Sequence, residues 1–255
     1  MKEVAIILLV MVIVFIGVIQ FTSLETTLFY DGFEYYLPGS SPTPTWEFWF
    51  NTNGEITDTT FVSPSNCLLL LGSFPWSTEA TRKFTSDSVL IGYEVYVRVE
   101  KVAQPYTAAV GFMKRVSQVT SRGYAFVWFR GDGEIISGEN LLQTYVANRW
   151  YKIRVLFNRD ERTYHVWVDD ILVGPSIRDP NIDPYAIEDF TLSSEWAGVN
   201  CYFDDVRIFS QVSFETLLLK WAAYTGIALA IIGILDMALT RSDTGSVVPE
   251  PPPTI

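Results

Sequence analysis

From Leu24 to Ser213 the chain runs in short apolar or alternating stretches separated by clusters of Gly, Pro, Asn, Asp and Ser, and no helical period is sustained. That is the pattern of an all-β domain. The clearest strands are expected at residues 88–99, 108–114, 123–130, 150–157, 163–168, 190–193 and 201–209. Pro-rich and Gly-rich segments such as PGSSPTPT (38–45) and RGDGE (130–134) carry the connections. Roughly 190 residues with this many strands suit an antiparallel two-sheet sandwich or jelly roll. No repeat of fixed period is present, which argues against a propeller or solenoid.

The stretch 150–174 shows how register is read from pattern. It predicts three antiparallel strands joined by two turns. In the first, Tyr151, Ile153, Val155 and Phe157 alternate with Trp150, Lys152, Arg154 and Leu156; in the second, Tyr164, Val166 and Val168 alternate with Thr163, His165 and Trp167. Pairing Phe157 with Tyr164 puts both apolar sets on one face. A slip of one residue would bury His165 and Trp167 instead. The first register is preferred because it keeps Lys152 and Arg154 out of the interior. Asp169 and Asp170 then form a two-residue turn, where Asp-Gly is usual and where aspartate tolerates a left-handed backbone.

Two long apolar segments flank this domain. Residues 4–19 carry no charge and continue through Gln20 and Phe21. At a rise of about 1.5 Å per residue, a helix there nearly crosses a hydrocarbon core of about 30 Å. A cleaved signal peptide and an uncleaved anchor (1–23) are both consistent with it. The second segment, 217–239, has Lys220 and Asp236 near its ends and Trp221 and Tyr224 at positions suited to a membrane interface. A membrane-spanning helix over 214–240 is expected. Lys2 and Arg241 flank the two segments and place the β domain, 24–213, on the extracytoplasmic side. The last stretch, 241–255, is a Pro-rich tail with no means of folding alone.

Three motifs in order resemble the concanavalin A-like lectin/glucanase superfamily in its laminin-G-like branch. They are FYDGFE (29–34) followed by Trp46, the hairpin NRWYKIRVLFNRDERTYHVWVDDILVG (148–174), and CYFDDVRIF (201–209). Asp170 departs from the pattern, where the family usually has Gly. The resemblance implies a jelly roll of two antiparallel sheets with first and last strands adjacent. Such domains bind glycans or proteins, hydrolyse polysaccharides, or only give structure, so the fold leaves function open.

Charge and chemistry narrow this. The net charge of −11 disfavours nucleic acid as a partner. The hydrolases of the resembled superfamily carry E-x-D-x-E along one strand, and nothing here matches it; Glu188 and Asp189 are adjacent and point to opposite faces. There is no G-x-S-x-G, and the single His165 cannot build a zinc site. The chain is therefore expected not to be an enzyme. The resemblance implies a structural calcium ion between the first and last strands, at Asp31 and Glu34 with Asp204 or Asp205. Simple alternation puts Asp204 with Tyr202, Val206 and Ile208 on the apolar side, and the competing reading is that these acids cap turns or pair with Arg207. In the resembled fold the strands of Cys67 and Cys201 run near each other, which implies a disulfide; two free buried thiols are the alternative. For a ligand, the expected contacts are Trp167, His165 and Arg154 on one face, with Trp128; Trp150, and the loop residues Trp76, Trp196 and Tyr106, are further aromatic candidates. The leading reading is a membrane-anchored module that recognises a glycan or surface protein, and a structural surface subunit is the alternative. Nothing in the sequence specifies an oligomeric state.

Overall fold

The computed structural model describes residues 25–72, 77–102, 105–116, 121–181, 183–195 and 198–212, and in the C-terminal apolar segment residues 222–224, 226, 227, 230, 231, 233 and 234. The chain divides into two compact units, one of Glu25–Gln211 and one of Met1–Leu24 with Val212–Ile255. The described residues between 222 and 234 of the second unit are helical. Among the described residues no helix is long and apolar enough to cross a membrane, and most of both apolar segments lies outside them.

The unit Glu25–Gln211 is all β apart from one turn of 3-10 helix at Pro184–Ala186. Its strands are β1 (Glu25–Asp31), β2 (Glu47–Trp49), β3 (Gly54–Thr57), β4 (Cys67–Leu71), β5 (Thr78–Lys83), β6 (Leu90–Val99), β7 (Tyr106–Arg115) and β8 (Ser121–Arg130). They continue as β9 (Glu134–Ser137), β10 (Asn140–Thr144), β11 (Trp150–Asn158), β12 (Thr163–Val168), β13 (Ile171–Arg178), β14 (Asp189–Ser194) and β15 (Asn200–Gln211). The first sheet runs β13-β12-β11-β6-β15-β4-β3, with β1 also paired to β15; the second runs β10-β9-β8-β7-β14-β5-β2. All pairings are antiparallel, and the first and last strands are adjacent, as expected.

The core lies between the sheets. Val95, Ile153, Val155, Phe157, Val166 and Ile208 from the first sheet are fully buried in one cluster with Val110, Phe112, Val127, Phe190 and Leu192 from the second. Phe157 pairs with Tyr164 and Arg154 with Trp167, so the preferred register holds and His165 and Trp167 face outward. Asp169 and Asp170 have φ of 51° and 64°, the doubly left-handed backbone of a tight hairpin turn. Their carboxylates pair with Arg149 at 2.7 Å and Lys152 at 2.9 Å.

Two expectations are corrected. Asp204 does not lie with Val206 and Ile208. Between Asp204 and Arg207 the pairing of β15 with β6 slips, and Asp205 has a φ of 48°. This bulge reverses the alternation, so Tyr202 and Asp204 share the outer face while Val206 and Ile208 point inward. The Cys67–Cys201 disulfide is also absent: both thiols are free and buried. Cys201 is opposite Leu70 and belongs to the central core, whereas Cys67 packs with Leu69 and Tyr202 on the outer face. Neighbouring strands bring the two close in order but put their side chains on opposite sides of one sheet, which no disulfide geometry bridges. Each thiol donates instead to a carbonyl, Cys67 to Thr60 at 2.9 Å and Cys201 to Thr107 at 3.4 Å.

Candidate ligand cleft

β14 sets the site. Phe190 and Leu192 point into the core, so Asp189, Thr191 and Ser193 face out from the second sheet. On one side β5 places Glu79 opposite Ser193, Thr81 opposite Thr191 and Lys83 opposite Asp189. On the other, β7 places Ala109, Gly111 and Met113 opposite Ser193, Thr191 and Asp189. Ala109 and Gly111 are small and lower the floor. A slip between β7 and β8, with Ala125 at φ 50°, turns the Phe126 ring over two glycines. A Cβ on Gly111 or Gly123 would meet that ring at 2.5 or 2.6 Å. Only glycine leaves Phe126 this place.

The result is an open cavity of about 350 Å³ lined by Glu79, Met113, Ser121, Gly123, Phe126, Trp128, Thr191, Ser193 and Glu195. Phe126 and Trp128 stack with centroids 5.3 Å apart, and Tyr106 continues the aromatic ridge at 5.0 Å from Trp128. The facing wall carries the two glutamates. Burial pushes the Glu79 carboxyl up to about 7, the charge of Glu195 adds to the rise, and Arg115 opposes it. Burial also raises Glu195, which accepts a hydrogen bond from Ser193. The Arg115 guanidinium lies 3.4 Å over the Trp49 ring and 3.8 Å from Glu79. The buried Glu79 Oε2 and Thr191 Oγ1 have no hydrogen-bond partner among the described residues.

The structure separates the residues expected to bind a ligand. Trp128 is in the cleft on the second sheet. Trp167, His165 and Arg154 lie on the outer face of the first. There Arg154 is committed, bonded to Glu94 at 2.8 Å and to Glu25, which also holds Arg207 at 3.0 Å. Both arginines stack on Phe209, at 4.7 and 4.9 Å. His165 Nδ1 accepts from the Ser176 N–H at 3.3 Å. Trp150 packs on the Cys67, Leu69 and Tyr202 cluster. Tyr106 opens β7 rather than lying in a loop, and Trp76 and Trp196 fall outside the described residues.

The four acids proposed for calcium are divided as well. Asp31 accepts from the Phe33 N–H at 2.8 Å, the Tyr36 hydroxyl at 3.0 Å and the Trp46 indole at 2.9 Å, which closes the turn after β1. Glu34, Asp204 and Asp205 do converge, but on the loop at residues 62–65. Asp204 accepts from Val62 at 2.7 Å and Ser63 at 3.2 Å, Asp205 from Ser63 at 3.0 Å and Tyr30 at 2.5 Å, and Glu34 from Ser65. Burial foremost, and then the neighbouring Asp205, pushes Asp204 up to about 7. Among the described residues no three His, Cys, Asp or Glu side chains are grouped to hold a metal. Loop N–H and hydroxyl groups thus use Glu34, Asp204 and Asp205 as acceptors, the turn-capping role of the competing reading for these acids.

Sequence reasoning missed Glu79, Glu195 and Arg115. A signal existed for β14, where polar residues alternate at 189, 191, 193 and 195. β5, TEATRK, offers no such signal, because its position comes from pairing on both sides.

No protein-family profile matches this sequence, and no curated protein matches it. Solved structures do. One titled for endo-acting O-glycanases by which human gut microbiota initiate mucin breakdown is 12% identical, with a TM-score of 0.50, and 74% of this chain covers 100% of it. Lectin II from Ulex europaeus is 9% identical, with a TM-score of 0.46, over 73% of this chain and all of that one. A sialidase is 14% identical, with a TM-score of 0.45, over 62% of this chain but only 17% of its own. The likeness is one of fold. The expectation that the chain is not an enzyme is corrected: the fold is compatible with either binding or catalysis, since the structure titled for O-glycanases shares this sandwich. The missing E-x-D-x-E carries less weight than assigned, because carboxylates can converge from different strands, as Glu79 and Glu195 do.

Proposed function

We propose that this chain is a glycan-binding module of the concanavalin A-like, laminin-G-like kind, and that the cleft on its second sheet is the recognition site. The observation that carries this is the pairing of an aromatic wall, Phe126 and Trp128, with a polar wall of Glu79, Thr191, Ser193 and Glu195 across one cavity. Aromatic faces stack on the apolar face of a sugar ring while carboxylates and hydroxyls take its hydroxyl groups. The two apolar segments of the sequence support a membrane-held domain on the extracytoplasmic side, where glycans are encountered. The test is a glycan array probed with the full chain in detergent. The expected result is a restricted set of bound glycans, with binding lowered by Trp128→Ala at unchanged melting temperature; no binding to any glycan overturns the reading.

A second reading is glycan hydrolysis, favoured by Glu79. A carboxyl pushed up to about 7 holds its proton near neutrality, as a general acid must, and Glu195 supplies a second carboxylate beside it. New reducing ends released from a bound glycan, and lost in Glu79→Gln, would establish it.

A further inference from the structure

We propose that the cleft selects glycans carrying a free amino sugar, whose ammonium group is held between Glu79 and Glu195. This rests on the reading of the cleft as a glycan site and adds the class of sugar.

The polar wall holds two buried oxygens with no hydrogen-bond partner among the described residues, Glu79 Oε2 and Thr191 Oγ1. Arg115 Nη2, 3.8 Å from Glu79 Oε2 and also without a partner among the described residues, is too far to be its donor. Thr191 is 1% exposed, lines the cavity, and its Oγ1 is likewise without a partner among the described residues. Ser193 already gives its hydroxyl hydrogen to Glu195. A buried acceptor without a donor is costly, and a ligand N–H relieves that cost. An ammonium brings three such donors and a charge of the right sign.

The charges around Glu79 favour a cation. Glu79 is faced by Glu195, just beyond β14, and by Arg115 of β7; Arg115 in turn is faced by Asp189 of β14 and Glu47 of β2, and Lys83 of β5 lies opposite Asp189. Glu47 and Lys83 neutralise each other at 2.9 Å. Arg115 is thereby left against three carboxyl groups, and its place over the Trp49 ring keeps the guanidinium at the edge of the group. The negative faces of Phe126 and Trp128, on the opposite wall, attract a cation as well as a sugar ring. Acylating the amine removes its charge and two of its donors, so an N-acetylated sugar loses this match.

Proton release follows. An ammonium binds best to the ionised pair, whereas Glu79 holds its proton in the empty cleft up to about 7. At about pH 6, where the sugar amine is already an ammonium, binding therefore drives off the Glu79 proton, and affinity falls as the pH is lowered further.

The experiment compares chitosan and chitin oligosaccharides of equal length by calorimetry on the full chain in detergent, in two buffers of different ionisation enthalpy. At neutral pH the chitosan oligomer is expected to bind roughly tenfold tighter, the gain of a charge-assisted over a neutral hydrogen bond. At about pH 6, where the amine is already protonated, binding of the chitosan oligomer should release protons, and the preference should shrink at about pH 5. Glu79→Gln and Glu195→Gln should each reduce that preference, while Glu139→Gln, which removes one exposed charge in the β9–β10 turn, should not. Equal affinity for both oligomers overturns the amine selectivity and leaves the glycan site standing. An equal loss in Glu139→Gln reduces the effect to attraction of a polycation by an acidic protein and also overturns it. Binding of neither oligomer, with an empty glycan array, overturns the glycan reading itself.

Discussion

Burial holds Glu79 protonated up to about 7, and that has a consequence for stability. Its folded-state pKa lies above the ordinary value of 4.5, so the folded protein binds more protons than the unfolded chain between about 4.5 and 7. Stability contributed by the protonated carboxyl is then lost as pH rises through that window. Glu79→Gln should raise stability by roughly 1–3 kcal/mol above neutral pH and change it little near pH 4. Urea titrations at the two pH values check this, and a variant destabilised at both overturns it. The cysteines give a second prediction at this scale. Burial pushes the Cys201 thiol up to about 12 and raises Cys67 as well. The folded protein should expose no thiol to a thiol-specific reagent, should expose both after unfolding, and should melt at the same temperature with or without reductant. Neither thiol's state was legible from the two positions alone, because a sheet has two faces and a sequence does not say which one each thiol takes.

At the scale of elements, the β11–β12–β13 hairpins were the most legible part of the chain. Period-2 alternation on three consecutive strands leaves one register that keeps Lys152 and Arg154 out of the core, and the structure has it. The turn still carries strain, since Asp170 adopts φ 64° where glycine is unstrained. Asp170→Gly should stabilise by up to about 1 kcal/mol, the relief of a left-handed aspartate less an exposed ion pair with Lys152. Thermal melting of the variant checks the sign. β15 shows where alternation fails: one bulge at Asp204–Asp205 reverses every side chain beyond it, at the point where its neighbour changes from β4 to β1. β5 is the opposite case from the hairpins. Its sequence has almost no apolar signal, yet it lies between β14 and β2 and supplies Glu79 to the cleft.

At the scale of the whole molecule, Glu25–Gln211 forms a compact unit with its core between two sheets. That unit should fold without the flanking segments. Expressed alone, it should give one cooperative melt within a few degrees of the full chain, and aggregation or loss of the sheet signature in circular dichroism would show otherwise. The sequence by itself determined what depends on local period and turn chemistry: the all-β class, the outward path of Trp167 and His165, the Asp169–Asp170 turn, and two apolar segments outside the domain. The tertiary structure decided what depends on which strands become neighbours. It put Trp128 on a different sheet from Trp167 and Arg154, turned Cys67 and Cys201 to opposite faces, and tied Glu34, Asp204 and Asp205 to one loop. It also assembled a cleft from residues more than a hundred positions apart, because strand pairing joins Glu79 to Ser193 and no local pattern records that contact.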